Sequence, residues 1–333
     1  MRRGRVEYGM SLVSVIVASI LSLFQFSQMA ASALPFFSVS ATPSVTILFG
    51  GDMMFDRSVR TAIDKSGGDF LFFCIDTALV DNDLVVANLE GPITDNTSVS
   101  VGSAVGSVNN FVFTFPRSTA ALLKKHHIEM VNLGNNHILN FGYSGVRTTQ
   151  EALEAAGVAY FGDPIADTVT LKTVNGIPFA FIAYNEFGPY GGKAAATTTE
   201  QHIKEAKISG FVPVVFAHWG IEYEPFAAEY QRDLAHRFVD AGAVAVIGAH
   251  PHVVQDHEIY TSTVLGAGKS APIYYSLGNF VFDQYFIEDV RHGIFVKLTF
   301  DESGVEFVEE IPITLNRDRT VCPGTQKDTI PTL

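Results

Sequence analysis

Cysteine is almost absent from this chain of 333 residues, which contains only Cys74 and Cys322. Neither lies near residue 33, which excludes a lipid-modified N terminus at that point. The two cysteines are far apart in sequence, so a disulfide is allowed in an oxidising compartment but is not established by the sequence. Cys74 lies within the apolar run LFFCIDTALV, where the simplest prediction is a core residue.

Basic residues are also scarce. The chain has 22 lysines and arginines against 35 aspartates and glutamates, a net charge of −13. Without residues 1–33 the balance is 19 basic to 34 acidic residues, a net charge of −15. Such a surface repels polyanions at long range. We therefore expect no nucleic-acid partner, and an acidic polymer would need a metal ion or a local basic patch to bind.

The apolar run near the N terminus is too short for a clear membrane span. Residues 11–26, SLVSVIVASILSLFQF, follow an arginine-rich start, and residues 31–33, Ala-Ser-Ala, form a possible cleavage site. This order is typical of a secretory signal. We expect residues 1–33 to be a signal peptide or membrane anchor and the rest of the chain to be extracytoplasmic, whether membrane-anchored or secreted.

One pattern recurs six times in the remaining chain: a short, β-rich apolar run stops and polar or glycine residues follow at once. The runs are VTILFG, LVVAN, IEMVNLG, FVPVVFA, AVAVIG and PIYYS. Helical stretches separate them, which predicts an α/β fold whose mostly parallel sheet is covered on both faces. Ligands of such sheets lie beyond the carboxyl ends of the strands. We expect the six polar ends to meet at one edge.

Two of the predicted helices have recognisable boundaries or faces. Ser144 is the expected N-cap of SGVRTTQEALEAAG, and Gly157 is its expected end. Before Gly242, apolar residues recur every four positions and predict one buried helix face. These residues are Phe226, Tyr230, Leu234 and Phe238.

Three other segments carry no predicted chemistry. Residues 95–110 are rich in Ser, Gly, Val and Asn, and they predict a flexible surface loop near the strand ends, with a hairpin as the alternative. The runs GIFVKLTF and GVEFVEEIPI predict a β-hairpin around residues 301–304. The predicted domain spans residues 45–312, and the tail, residues 313–333, is expected to be poorly ordered after Asn316.

The polar strand ends provide the ligand types of a metal site. The imidazoles are those of His218, His250 and His252, the carboxylates those of Asp52 and Glu90, and Asn136 adds an amide oxygen beside His137. Mixed nitrogen and oxygen donors suit Zn, Mn or Fe. Each residue alone is more simply a turn, loop or incidental histidine, but together they favour a divalent-metal site. The remaining histidines are interpreted as structural or exposed: His126, His127, His202, His236, His257 and His292.

The motifs GGDMMFDR, NLEGPIT, NLGNNHILNFG, HWGIEYEP, GAHPHVVQ and YSLGNFVFD, in this order, resemble the CapA/PgsA family of poly-γ-glutamate capsule synthesis proteins. The resemblance covers about residues 45–300. It implies the calcineurin-like metallophosphoesterase fold, a four-layer α/β sandwich of metallo-dependent phosphatase type. It also implies a role in making or exporting an anionic polymer at the cell surface, with poly-γ-glutamate or membrane synthase subunits as partners.

The resemblance also implies roles for individual residues. Asp52 matches the first aspartate of the phosphoesterase pattern, and Glu90 stands in the place of the bridging aspartate. The other implied metal ligands are Asn136, His218, His250 and His252, with His137 as the catalytic residue that protonates a leaving group. Arg57, Trp219, Glu222 and Asn279 are predicted to contact the substrate, and Asn279 is expected to shape its loop rather than bind metal.

Two positions depart from the patterns. Met54 replaces the histidine of the phosphoesterase Asp-x-His, so the first ion would lose a ligand. Asn140 stands where the capsule family often has an aspartate near His137. Two functions remain open: a surface metal hydrolase acting on a phosphoester or amide, and a non-catalytic partner of a synthase whose metal centre binds polymer carboxylates.

Overall fold

The computed structural model describes residues 1, 44–165, 169–188, 191–266 and 268–324. The predicted N-terminal segment and residues 325–333 lie outside the described residues. Among those that are described, no helix combines the length and the apolar character needed to cross a membrane. The strands are β1 (Val45–Met53), β2 (Leu84–Leu89), β3 (Met130–Asn132), β4 (Ala159–Phe161), β5 (Val169–Val174), β6 (Ile177–Asn185), β7 (Val212–His218), β8 (Ala245–Ala249), β9 (His257–Thr261), β10 (Ser270–Tyr274), β11 (Asn279–Val281), β12 (His292–Asp301), β13 (Gly304–Leu315) and β14 (Val321–Pro323).

The described helices lie between strands, as the alternating pattern predicts. They are α1 (Arg57–Ser66), α2 (Asp76–Val80), α3 (Ser118–Lys125), α4 (Gly142–Ala156), α5 (Gly192–Ile208) and α6 (Glu229–Ala241). Short 3₁₀ turns complete the connections, and one of them (Val108–Phe111) lies in the loop that follows β2. The segment 95–110 contains no strand, so its hairpin alternative is wrong.

All six predicted strands form, but they belong to two sheets instead of one. The first sheet has the order β14-β13-β12-β1-β2-β3-β4, with β11 paired to β1, and the second has the order β5-β6-β7-β8-β10-β9. Within each sheet the strands that carry the polar ends run parallel to one another. The single-sheet prediction was wrong because apolar periodicity reports that a strand is buried, not which strand it pairs with.

The core has three layers of side chains, which establishes a four-layer arrangement. A central cluster joins the facing sides of the two sheets through residues such as Phe49 and Phe216. A second cluster packs the outer side of the first sheet against helices α3 and α4. A third packs the outer side of the second sheet against α5 and α6. The predicted four-layer α/β sandwich is therefore confirmed.

Alternation along β7 shows why the sequence folds this way. Val214 and Phe216 contribute to the central cluster, while Val215 and Ala217 face the cluster under the helices. Because successive side chains of a strand point to opposite faces, a strand covered on both sides must be apolar throughout. The apolar run then ends at His218, a buried polar residue whose ring nitrogens contact Asn88 and Asn136.

The helix boundaries correct two predictions. Gly157 follows the last residue of helix α4 in a left-handed conformation, which confirms the predicted helix end. The helix begins at Gly142, so the prediction of Ser144 as its N-cap was wrong; the Ser144 hydroxyl instead donates to the Phe141 carbonyl. Helix α6 begins after Phe226, which is 49% exposed, and Tyr230 is 43% exposed. The four-residue spacing drifts around a helix of 3.6 residues per turn, so only the later residues of the series face the core.

The C-terminal region is more structured than the sequence predicts. The hairpin of β12 and β13 is confirmed. However, β13 extends to Leu315 and β14 pairs with it, so the expectation of disorder after Asn316 was wrong for residues 317–324. Cys322 in β14 forms a disulfide with Cys74, with the two Cα atoms 4.8 Å apart. Cys74 is therefore a half-buried disulfide partner rather than a core residue.

Candidate metal centre

The two sheets meet where their parallel strands end. Asp52 in β1 pairs in register with Asn88 in β2, and His218 in β7 pairs with Ala249 in β8. The backbone N–H of His250 donates to Asp52 Oδ2 at 3.0 Å and so connects the two sheets. The predicted convergence of polar strand ends is therefore present, with strands of both sheets contributing.

Asp52 is fully buried and fully hydrogen-bonded. Asn88 Nδ2 donates to Oδ1 at 2.7 Å, and the other oxygen accepts from the His250 backbone. Burial alone would raise the pKa of Asp52, but the nearby imidazoles of His252 and His218 and the Asn88 amide lower it below the ordinary value. Asp52 is therefore an ionised carboxylate at neutral pH.

Glu90 lies directly after β2 and is also fully buried, but neither of its carboxylate oxygens has a hydrogen-bond partner among the described residues. The nearest imidazole nitrogens are His252 Nε2 at 3.6 Å and His137 Nε2 at 3.9 Å from Oε1. Burial, together with the charge of Asp52, raises the pKa of Glu90 well above its ordinary value. An unpartnered buried carboxylate is costly, and a bound cation would satisfy it.

Two groups of side chains can each hold a divalent ion. In the His218 group (Glu90, His218 and His250) and in the Asp52 group (Asp52, Glu90 and His252), the donor atoms lie within 4.8 Å of one another. Glu90 belongs to both groups, as expected for a carboxylate that bridges two ions. The donor set of buried imidazoles and carboxylates fits a two-ion centre for hard or borderline divalent metals.

The imidazoles of His218 and His250 are in the form that binds metal. Burial and the neighbouring His250 lower the pKa of His218 well below its ordinary value, and burial together with His252 lowers the pKa of His250 to about 3. Both are therefore neutral near pH 7, which is the ligating form. The Nδ1 atom of His250 is buried and has no hydrogen-bond partner in the described part of the chain, so it is available to an ion.

Asn136 lies next to the His218 group, because its Oδ1 atom is 3.0 Å from His218 Nε2. The predicted role of its amide oxygen as a metal ligand stays a prediction. His250 and His252 have left-handed backbone conformations, with φ of 98° and 60°. Such conformations are unfavourable for non-glycine residues and are found at sites where side chains must be aimed.

A buried asparagine network supports the centre and was missed by the sequence analysis. The side-chain Oδ1 atom of Asn88 accepts from Asn132 Nδ2 at 3.0 Å and from Asn135 Nδ2 at 3.2 Å. Asn135 also donates to the Leu89 carbonyl at 2.8 Å, which fixes the backbone just before Glu90. The available signal was an asparagine at the end of two apolar runs, LVVAN and MVN, since a buried amide requires polar partners.

Asn279 positions His252 instead of contacting substrate, so its predicted substrate role was wrong. It is fully buried, and its Nδ2 donates to the Val290 carbonyl at 2.9 Å and to Gln284 Oε1 at 3.1 Å. This orientation leaves Oδ1 as the acceptor 3.0 Å from His252 Nδ1. Oδ1 therefore accepts the Nδ1 proton of His252, and Nε2 of the same ring faces Glu90 Oε1 at 3.6 Å.

Trp219 was also predicted to contact substrate, and this prediction was wrong. Its side chain is fully buried in the cluster beneath α6, and Nε1 donates to the Tyr275 carbonyl at 2.9 Å. In a strand, His218 and the residue after it point to opposite sides, which directs the indole away from the centre.

Arg57 and Glu222 remain near the centre. Arg57 pairs with Asp283 at 2.5 Å, and its guanidinium lies 5.1 Å from the ring centre of Phe113. Its charge acts to lower the pKa of Glu90, whereas the charge of half-buried Glu222 acts to raise it. Both residues thus lie within electrostatic range of Glu90.

His137 has a defined tautomer. Asn140 Oδ1 accepts from the backbone N–H of Phe113 at 2.8 Å and lies 3.2 Å from His137 Nδ1, so Nδ1 carries the proton. Burial lowers the pKa of His137 to about 4 despite this hydrogen bond. A neutral imidazole that presents Nε2 to the centre is a proton acceptor. The predicted role of His137 as proton donor does not fit this state.

Met54 provides no nitrogen or oxygen donor. It is fully buried in the cluster between the first sheet and its helices, and its sulfur accepts from the backbone N–H of Asp56 at 3.0 Å. The Asp52 group therefore consists of three protein ligands, Asp52, Glu90 and His252.

Comparison with known proteins places these residues in a family. The chain is 28% identical over 283 residues to the PGA biosynthesis protein CapA of Bacillus subtilis (strain 168), covering 80% of this chain and 71% of that protein. It is 27% identical over 292 residues to the capsule biosynthesis protein CapA of Bacillus anthracis, covering 81% and 67%. Among solved structures, the sulfate thiohydrolase SoxB of Thermus thermophilus is 12% identical, with a TM-score of 0.40 over 72% of this chain and 38% of that one.

A family model described as bacterial capsule synthesis protein PGA_cap matches residues 46–284. The matched range contains every residue of the Asp52 and His218 groups. Because this range is well over half of the sequence, the chain belongs to the family of bacterial capsule synthesis proteins.

Proposed function

We propose that this protein takes part in the synthesis or export of poly-γ-glutamate at the cell surface and that a two-ion centre around Glu90 is required for this role. The family and the names of its Bacillus relatives support the process. The observation that supports the centre is the fully buried Glu90 carboxylate, which accepts no hydrogen bond from the residues that the structure describes and is shared by two ligand groups.

The proposed location is extracytoplasmic, with residues 1–33 as signal peptide or anchor and membrane synthase subunits as partners. An arginine-rich start followed by an apolar run supports this topology. Protease added to intact cells with a permeable outer layer should digest the domain. Full protection of residues 44–324 under these conditions would contradict the location.

The centre has the groups needed for hydrolysis of a phosphoester or amide. A divalent ion bound there would activate water and polarise the oxygen of the scissile group. The Nε2 atom of His137 is placed to accept a proton, and the guanidinium of Arg57 is the nearby positive charge that an oxyanion would contact. These roles favour a metal-dependent hydrolase as the activity of the centre.

A non-catalytic role is the second candidate, and Met54 favours it. Because Met54 adds no donor, the Asp52 group offers three protein ligands among the described residues. An ion bound there would keep coordination positions for carboxylates of a polymer. In this role the ions would hold the acidic chain for a synthase without cleaving it.

Purified full-length protein separates the two roles. We would measure manganese and zinc content, hydrolysis of phosphoester and γ-glutamyl amide substrates, and poly-γ-glutamate binding, each with and without metal. Glu90→Gln removes the bridging charge, and Glu151→Gln, at an exposed position on α4, is the matched control. Turnover that requires metal and Glu90 supports the hydrolase. Metal-dependent polymer binding without turnover supports the second role, and no metal uptake refutes the centre.

A further inference from the structure

A cavity of about 650 Å³ adjoins the candidate metal centre. Asn136, whose amide oxygen is 3.0 Å from His218 Nε2, forms part of its wall. Phe187 forms another part of the wall, and the centre of its ring is 4.1 Å from the centre of the His250 ring. The cavity therefore lies next to residues that contact the His218 group, whose own three side chains are not among its described lining residues. Its size is in the range of sites that hold small organic ligands.

Small residues make room for this cavity. One face of α5 contributes Ala194, Ala195, Thr198 and Thr199, which recur at helical spacing and carry short side chains. Gly162 and Ala183 complete the opposite wall. Larger side chains at these positions would fill the space, so the volume results from the choice of residues on both walls.

The walls of the cavity carry few ionisable side chains. Among the described residues that line the cavity there is no lysine or arginine, and the ionisable side chains are Asp163 and His202. Ile138 and Leu139 add hydrocarbon, while asparagine and threonine side chains add neutral hydrogen-bonding groups. Among the described lining residues, no lysine or arginine would pair with a carboxylate of a ligand buried here, which is unfavourable.

We infer that the cavity binds an uncharged, partly apolar organic group of a molecule whose oxyanion is held at the metal centre. This inference rests on the proposed function and narrows its substrate class. The molecule recognised is an oxyanion that carries a neutral substituent, rather than a run of glutamyl carboxylates entering the cavity.

Three phosphonates that share one oxyanion test this inference in manganese-loaded, full-length protein. Methylphosphonate reports the metal centre alone, benzylphosphonate adds an apolar ring, and 4-carboxybenzylphosphonate adds a charge to that ring. Burial of the ring should make benzylphosphonate bind about tenfold more tightly than methylphosphonate. The added carboxylate should abolish that gain. Calorimetry would measure all three affinities, and metal analysis would be done on the same samples.

Variants that fill the cavity separate it from the metal centre. Ala195→Phe places a ring at the half-buried wall, and Thr198→Phe does so from an exposed lining position that is easier to accommodate. Thr197→Phe adds the same ring to α5 at an exposed position outside the cavity and is the control. The filled variants should bind methylphosphonate like wild type and lose the tenfold gain, whereas Thr197→Phe should keep it.

Three outcomes would overturn the inference. They are equal binding of methyl- and benzylphosphonate by wild type, retention of the gain in both filled variants, and tighter binding of the carboxylated ring. Failure of the proposed metal centre is distinguishable, because the protein would then take up no manganese and neither simple phosphonate would bind in a metal-dependent way.

Discussion

The two sheets contribute different chemistry to the candidate metal centre. The first sheet supplies the carboxylates Asp52 and Glu90, while the second supplies the imidazoles His218, His250 and His252. Neither sheet alone completes either ligand group. The difference shows that the centre is a product of the interface between the sheets, where negative charge from one side meets neutral nitrogen donors from the other.

The carboxylates of the first sheet also differ from each other. Asp52 is hydrogen-bonded on both oxygens, whereas within residues 44–165, 169–188, 191–266 and 268–324 Glu90 has no hydrogen bond on either. Hydrogen bonds within the protein thus offset the cost of burying the Asp52 carboxylate. Among the described residues no such hydrogen bond offsets the cost of burying Glu90. The predictions below test this division.

The largest expected effect is loss of both ions in Glu90→Ala. This change removes the carboxylate shared by the Asp52 and His218 groups, and water cannot replace its negative charge. Bound metal per chain, measured after identical dialysis, should fall to near zero. The control Glu151→Ala should retain the wild-type value, and equal metal in Glu90→Ala and wild type would remove Glu90 from the site.

Loss of one imidazole from the second sheet should have an intermediate effect. His252 belongs only to the Asp52 group, so His252→Ala should weaken binding of the ion in that group and leave the His218 group occupied. The expected metal content lies between those of wild type and Glu90→Ala. His236→Ala, at a half-buried histidine that pairs with Glu258 on the protein surface, is the control. Complete metal loss in His252→Ala would show that the two groups do not bind independently.

Removing the disulfide should destabilise the first sheet without emptying the centre. The Cys74–Cys322 bond joins the edge strand β14 to a segment 248 residues earlier in the chain. The double variant Cys74→Ala/Cys322→Ala should lose about 2–4 kcal/mol of unfolding free energy, because long loops gain most from closure. Denaturant unfolding measures this loss. A large drop in metal content of the folded variant would contradict the assignment of the centre to the sheet interface.

Restoring a donor to the first sheet should have a smaller effect in the opposite direction. Met54→His adds an imidazole two residues after Asp52, next to the group with three protein ligands. We expect about a tenfold gain in affinity for the ion of the Asp52 group, about 1.4 kcal/mol. Competition with a chelator measures it. Unchanged affinity in a folded variant would show that residue 54 does not face the ion.

The two carboxylates should also respond oppositely to pH in metal-free protein. Burial raises the pKa of Glu90, so at pH values above the ordinary glutamate pKa the folded state keeps a proton that the unfolded state has lost. The free energy of unfolding therefore falls as the pH rises from the ordinary pKa to the raised pKa. The pKa of Asp52 is lowered by its partners, so its contribution is lost only as the pH falls below the ordinary range. Glu90→Gln should remove the fall in unfolding free energy above the ordinary glutamate pKa and leave the loss at low pH that comes from Asp52. An unchanged slope would contradict the shift at Glu90.

Several of these features follow from particular residues in the sequence. The apolar runs before Asp52, Glu90 and His218 end where the strands end, so local pattern was sufficient to find the positions that face the centre. The buried contacts of Trp219 and Asn279 were not predicted because a place at the polar end of an apolar run does not specify side-chain direction. That direction depends on strand alternation and on partners such as Tyr275 and Val290.

Other features had only a weak signal or none in the sequence. The asparagines at the ends of β2 and β3 join one network because those strands are neighbours, and pairing is a long-range property. The disulfide was open for the same reason, since two cysteines 248 positions apart can be matched only after the chain folds.

The sequence by itself determined the strands, their polar ends and the ligand types, because these depend on local hydrophobic pattern and on the chemistry of single side chains. Only the tertiary structure decided that Asp52 and Glu90 lie on one sheet and the histidines on the other, that Glu90 is shared by both groups, and that a cavity with small-residue walls adjoins them. The physical reason is that distances between ligand atoms and the volume beside them are set by the packing of the two sheets, which no short stretch of the chain encodes.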